Sequence, residues 1–175
     1  MSEKVKSDVS AVVVGTRHEI QRHQDTIPDR ELVRGAFDQR LRHIIKENKI
    51  DLIAEEAGDD KATWERLKQD DEMAAQFGGL FEDDATVDSP VPTIAKTIGD
   101  EYGVKYSDVD VDVRAEEHDL KSIEKRDEAI AEKIRRVVGT EKRVLVIVGE
   151  AHRAGIAERL KKAGLSVESF RFPES

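Results

Sequence analysis

Valine-rich apolar runs alternate along this chain with stretches whose apolar residues recur every three or four positions. The first run, Val9–Gly15, is ended by glycine and reads as a buried strand. Pro28 is tolerated in a first helical turn, and Leu32, Val33, Ala36, Phe37, Leu41, Ile44 and Ile45 then recur at helical spacing. Lys46 and Lys49 stand near the end of that helix, where cations are favoured. Ile50–Ala54 predicts a second strand closing on Glu55 and Glu56. Ala62–Phe77 is compatible with a helix whose apolar contacts are Trp64, Leu67, Met73 and Ala74. Gly78-Gly79, an acidic run and Ser89-Pro90 then read as loop. Pro92–Tyr102 predicts a short helix stopped by Gly103. Val104–Val113 alternates as a third strand, with Val109, Val111 and Val113 on one side and Asp108, Asp110 and Asp112 on the other.

The clearest helix is Glu116–Val138, which carries Leu120, Ile123, Ile130, Ile134 and Val137 on one face and ends at Gly139. Arg143–Gly149 predicts a fourth strand, Arg153–Ala163 a helix followed by Gly164, and Ser166–Phe170 a fifth strand. Strand and helix alternate throughout. That order predicts an α/β fold: a single three-layer α/β/α domain over residues 9–175, with a mostly parallel sheet of about five strands. Residues 1–8 read as a flexible N-terminal tail.

Composition narrows the classes. The chain has 175 residues, enough for one domain with a sizeable core and short for two. Charged and hydrophobic residues each make up 38%, so a densely ionic surface surrounds a modest core. The net charge of −9 repels phosphate backbones and argues against nucleic acid as a partner. There is no cysteine, which excludes disulfides, thiolate metal ligands and a cysteine nucleophile. The apolar runs Ala11–Val14 and Val144–Val148 are too short to span a bilayer, so no membrane partner is expected. The N-terminal residues form no apolar signal segment, and a cytoplasmic location is the expectation.

Chemistry is expected at the carboxyl ends of the strands, where loops and helix N-termini gather. Four polar features fall there: His18, Glu55-Glu56, Asp110 with Asp112, and His152. Both histidines stand in Gly-x-x-His motifs, Gly15–His18 and Gly149–His152, and the glycines are expected to let the backbone turn tightly. Two imidazoles and a carboxylate at one edge are a donor set for a divalent metal; without metal they can act as general base and acid. A solvated helix entry at Glu55-Glu56, or a wet edge-strand face at Asp110 and Asp112, is the simpler account of those acids.

Asp127 interrupts the apolar stripe between Ile123 and Ile130. It is either a slip of register or part of a pair that reaches a polar site, because an unpaired charge on a buried stripe is costly. Arg17, Arg22 and His23 form a basic cluster near His18 that suits an anionic group, although Glu19 and Asp25 are near enough to neutralise it. His43 and His118 read as surface residues. Neither motif glycine opens a Gly-x-Gly-x-x-Gly loop, which argues against a nucleotide-binding domain.

The segments Val-Val-Val-Gly-Thr-Arg-His, Leu-Ile-Ala-Glu-Glu, Lys-Arg-Asp and Val-Ile-Val-Gly-Glu-Ala-His-Arg resemble, in that order, the superfamily joining the erythromycin-esterase, ChaN-like, TraB and TIKI proteins. The resemblance runs from about Val9 to Val167. It implies that His18 and His152 are the motif histidines, that Glu55 or Glu56 is the acidic residue, and that Arg126 is the arginine of the helix. It further implies a hydrolase of esterase or peptidase type acting on a small-molecule or peptide substrate. In that reading His18, Glu56 and His152 hold a divalent metal such as manganese, cobalt or zinc, or activate water directly. Arg126 then stabilises an anion developing on the substrate. The alternative on the same fold is a module that binds a small anionic ligand or a metal without turnover.

Overall fold

The structure, a computed structural model, describes residues 8–22, 28–57, 92–111 and 120–173. Its strands are β1 (Ser10–Thr16), β2 (Leu52–Glu55), β3 (Lys105–Asp108), β4 (Arg143–Gly149) and β5 (Ser166–Arg171). They form one sheet in the order β3-β2-β4-β1-β5, and every pairing is parallel. The described helices are α1 (Pro28–Asn48), α2 (Ile94–Tyr102), α3 (Leu120–Val138) and α4 (Glu150–Lys162), with a 3₁₀ turn at His18–Ile20.

Residue alternation divides each central strand between two helical layers. Ala11, Val13, Leu52, Ala54, Val144, Val146 and Val148 face Ile130 and Ile134 of α3 and Ile156 and Leu160 of α4. Val12, Val14, Ile53, Leu145 and Ile147 face Phe37, Leu41 and Ile44 of α1 and Ile94 and Ile98 of α2. Strands covered on both faces need apolar side chains at every position, which is why β1 and β4 read as unbroken valine-rich runs. The expected α/β architecture is therefore present. Among the described residues no helix is long and apolar enough to cross a membrane.

Several boundaries differ from expectation. The third strand stops at Asp108, because Asp108 Oδ1 accepts the backbone N–H of Asp110 at 2.9 Å and turns the chain. Val109 remains in the core, while Asp110 leaves the strand and reaches toward α3. The helix after β4 begins at Glu150 rather than Arg153, which places His152 in its first turn. Helix α2 starts as the Thr93 hydroxyl accepts the N–H of Lys96 at 3.1 Å, and ends at Gly103 with φ of 65°. Leu32 and Leu120, expected on buried faces, are 77% and 76% exposed. Leu120 opens α3, and Leu32 lies on the same outward face of α1 as the exposed Ala36 and Gln39. Residues 1–7, the stretch Ala62–Phe77, the loop after it, Asp112, Val113 and the first turn expected at Glu116 lie outside the described residues.

Candidate active site at the carboxyl edge

Strand β4 enters the sheet between β1 and β2, so the chain segments leaving these three strands emerge side by side. His18 follows β1, Glu56 follows β2 and His152 lies in the first turn of α4. They converge on Gly149, the last residue of β4. The point that a Cβ on Gly149 would occupy lies 3.2 Å from His18 Nε2, 3.5 Å from Glu56 Oε2 and 3.6 Å from His152 Cδ2.

The motif glycines act by having no side chain rather than by turning the backbone. Gly149 has φ −56° and ψ 142°, a conformation open to any residue. Gly15 is still within β1, and a Cβ there would lie 2.1 Å from Glu150 Oε2 and 2.7 Å from Arg153 Cδ. One glycine lets α4 settle close to β1; the other keeps the space between the two imidazoles clear.

Glu56 is the central acid. It is 1% exposed, and its Oε2 accepts the N–H of Gly149 at 2.8 Å. Its Oε1 accepts two N–H groups of Arg126, from Nη2 at 2.9 Å and Nε at 3.2 Å. Burial pushes the Glu56 carboxyl up, but the His18 imidazole, the Gly149 N–H, the His152 imidazole and the Arg126 guanidinium together outweigh it and hold it below the usual range. Arg126 also donates from Nη1 to the carbonyl of Val111 at 2.9 Å and pairs with Asp110 through Nη2. Burial favours its neutral form, yet the two carboxylates prevail and its pKa rises. For Asp110 burial is the larger effect, and its carboxyl titrates above the ordinary value despite Arg126.

Asp127, the charge on the apolar stripe of α3, belongs to a pair. It is 4% exposed and its Oδ1 lies 2.6 Å from His152 Nδ1. Nδ1 is therefore the protonated nitrogen, and Nε2 of His152 is left facing Glu56, with Oε1 at 4.0 Å. Room for Asp127 comes from Gly155 of α4, where a Cβ would lie 1.9 Å from Asp127 Oδ2. Gly155→Ala is expected to lower stability by about 1 kcal/mol: overpacking a short, pinned carboxylate costs about 1–3 kcal/mol, against a helix-propensity gain of about 1 kcal/mol. A thermal melt checks this, and an unchanged or raised midpoint would contradict it.

Glu55 and Glu56 part company because successive residues leave a strand on opposite sides. Glu55 is fully buried on the α1/α2 side. Its Oε2 accepts from the Thr93 hydroxyl at 2.5 Å and the Tyr106 hydroxyl at 2.8 Å, and its Oε1 accepts from Gln21 Nε2 at 3.1 Å. Gln21 in turn meets His18 Nδ1 at 2.9 Å through Oε1. Gln21, Thr93 and Tyr106 carry no motif that marks them in the sequence. Asp127 does, as a charge where the period demands an apolar residue. In the expected basic cluster Arg17 is exposed and Arg22 is buried, while His23 and Asp25 lie outside the described residues, as does His118; His43 is exposed on α1.

The carboxylate of the expected metal set is already engaged. Glu56 Oε1 carries a guanidinium and Oε2 a backbone N–H, while the Nε2 atoms of His18 and His152 face the site. Among the described residues no group of three or more histidine, cysteine, aspartate or glutamate side chains is placed to hold a metal ion. What the arrangement offers is two imidazole Nε2 atoms beside a buried carboxylate, a setting for proton transfer.

No family model, curated protein or solved structure matches the chain.

Proposed function

We propose that the chain is a hydrolase of esterase or peptidase type in which two histidines manage one water molecule. The observation that carries this reading is the convergence of His18 Nε2, Glu56 Oε2 and the His152 ring on Gly149. His152, oriented by Asp127, takes a proton from water at Nε2 as the water oxygen attacks the carbonyl carbon. His18 Nε2 accepts the second hydrogen bond of that water and aims it. Asp127 and Glu56 flank the imidazolium that forms and stabilise its charge. Collapse of the tetrahedral intermediate breaks the bond to the leaving group, which receives the proton back from His152. The first turn of α4, which has no side-chain cap, supplies N–H donors for the developing oxyanion.

In this reading Arg126 serves the site indirectly. Its guanidinium is spent on Glu56, Asp110 and Val111, so it holds Glu56 ionised and in place rather than meeting the substrate. The resemblance to the erythromycin-esterase, ChaN-like, TraB and TIKI superfamily points to the same reaction class.

The test is hydrolysis of aryl esters and short peptides by the wild-type chain, His18→Ala and His152→Ala. Turnover is expected in the wild type and should fall about 100-fold or more in each variant, through the lost general base in His152→Ala and the lost aim of the water in His18→Ala. Activity unchanged in both variants would overturn the reading. Ligand-induced thermal stabilisation lost in His18→Ala, with no product formed, would favour the non-catalytic binding module instead.

A further inference from the structure

Resting on the hydrolytic reading above, we infer that Gln21 and Glu55 form a positioning relay that fixes the tautomer of His18, keeping the proton on Nδ1 and the lone pair on Nε2 at the site. Free histidine side chains favour the opposite tautomer, with the proton on Nε2. A His18 left to itself would therefore present N–H, not a lone pair, to the attacking water.

The relay is read from donors and acceptors. One end of the Gln21 amide lies 3.1 Å from Glu55 Oε1 and 3.3 Å from the Glu56 carbonyl oxygen. Both neighbours are acceptors, so this end is the NH₂ group. The other end, which meets His18 Nδ1 at 2.9 Å, must then be the carbonyl oxygen and can only accept. His18 Nδ1 is obliged to donate, which leaves Nε2 unprotonated in the neutral ring, 3.2 Å from the Gly149 Cβ point. Glu55 is held as an acceptor by the hydroxyls of Thr93 and Tyr106. The order that begins at those hydroxyls thus runs through Glu55 and Gln21 to the imidazole. Gln21 itself is fully buried, and its backbone carbonyl accepts the N–H of Ile94 at 2.7 Å, which ties the 3₁₀ turn to the start of α2. Glu55 therefore acts on the site without touching it.

The relay makes an uncommon prediction for Glu55→Gln, a change of nearly equal shape. With Thr93 and Tyr106 donating to the far oxygen as they do to Glu55, the new NH₂ group faces Gln21. Two NH₂ groups cannot share that contact, and the Gln21 amide turns over, giving up its longer bond to the Glu56 carbonyl oxygen. Its NH₂ end then donates to His18 Nδ1, and the proton moves to Nε2.

The experiment is ¹⁵N NMR of the histidine side chains near neutral pH, with the His18 signals assigned by their loss in His18→Ala. In the wild type His18 Nδ1 is expected to be the protonated nitrogen; in Glu55→Gln it should be Nε2. Gln21→Ala, which removes the acceptor and adds no donor, should shift His18 toward the Nε2–H form as well. Ester hydrolysis by Glu55→Gln should fall about 100-fold in kcat with KM little changed. A wild-type His18 protonated at Nε2, or a tautomer unmoved in both variants, overturns the relay. Should Glu55→Gln fail to fold, the wild-type spectrum and Gln21→Ala still decide. The NMR signature is independent of turnover: the expected spectra with no wild-type hydrolysis support the relay and fail the hydrolytic reading, while hydrolysis with unmoved spectra does the reverse.

Discussion

Asp127→Asn is expected to lower kcat for hydrolysis about 1,000-fold while changing stability by less than about 1–2 kcal/mol. The reason lies on both sides of the carboxylate. His152 Nδ1 lies 2.6 Å from Oδ1, and Arg159 Nη1 lies 3.9 Å from Oδ2. An asparagine there would turn its carbonyl oxygen toward Arg159 and its NH₂ group toward His152. The NH₂ group would donate to Nδ1, moving the imidazole proton to Nε2 and removing the base from the site. The negative charge that stabilises the imidazolium would be lost as well. KM should change little, since Asp127 is buried behind the imidazole. Steady-state kinetics with a far-ultraviolet spectrum to confirm folding checks this. A kcat within about threefold of wild type would remove Asp127 and His152 from the mechanism.

Arg126→Met should destabilise the fold by about 3 kcal/mol at pH 7, because it leaves the Glu56 and Asp110 carboxylates buried without their cation. The pH dependence has a definite sign. In the wild type, Glu56 titrates below its ordinary value. Its stabilising contribution is full above the unfolded-state pKa of about 4.3 and is lost as pH falls through the folded value. Asp110 titrates above its ordinary value, so its cost is present above the folded pKa and is relieved as pH falls through it. Without Arg126 both folded-state values rise. The variant then regains stability on acidification from pH 7 toward pH 5, as its buried acids take up protons. The wild type gains less over the same interval, so the gap between them narrows. Urea melts at the two pH values measure it, and a gap of constant size would show that Arg126 does not neutralise these acids.

The two substitutions probe different parts of one design. Asp127 sets which nitrogen of His152 carries the proton; Arg126 joins His18, the Gly149 N–H and His152 in keeping Glu56 charged against burial. Each is a charged residue of α3, adjacent in sequence, and each serves a different partner from a different strand end. One helix thereby holds both Glu56 and His152.

Much of this was legible in the sequence, and particular residues show why. A strand buried on both faces must be apolar at every position, so β1 and β4 announce themselves as Ala11–Val14 and Val144–Val148. Helix α3 is written in its period from Ile123 to Val137, and the single charge that breaks the stripe, Asp127, marks a partner to be found. Strand ends followed by Gly-x-x-His place His18 and His152 at one edge, since parallel strands share a carboxyl side.

Strand order is another matter, because it depends on contacts between segments distant in the chain. The tertiary structure alone inserts β4 between β1 and β2, and only that insertion brings Glu56 to the Gly149 N–H and both imidazoles to one point. The choice between Glu55 and Glu56 is likewise non-local: alternation says that they part, but not which side holds α3 and Arg126. Gln21 had no sequence signal at all, since an amide relays a tautomer only through partners from β2 and the 3₁₀ turn. Even the motif glycines change meaning. The sequence by itself determined that they stand at two strand ends; the packing decided that what counts is the absent side chain, because other residues fill or surround the space it leaves.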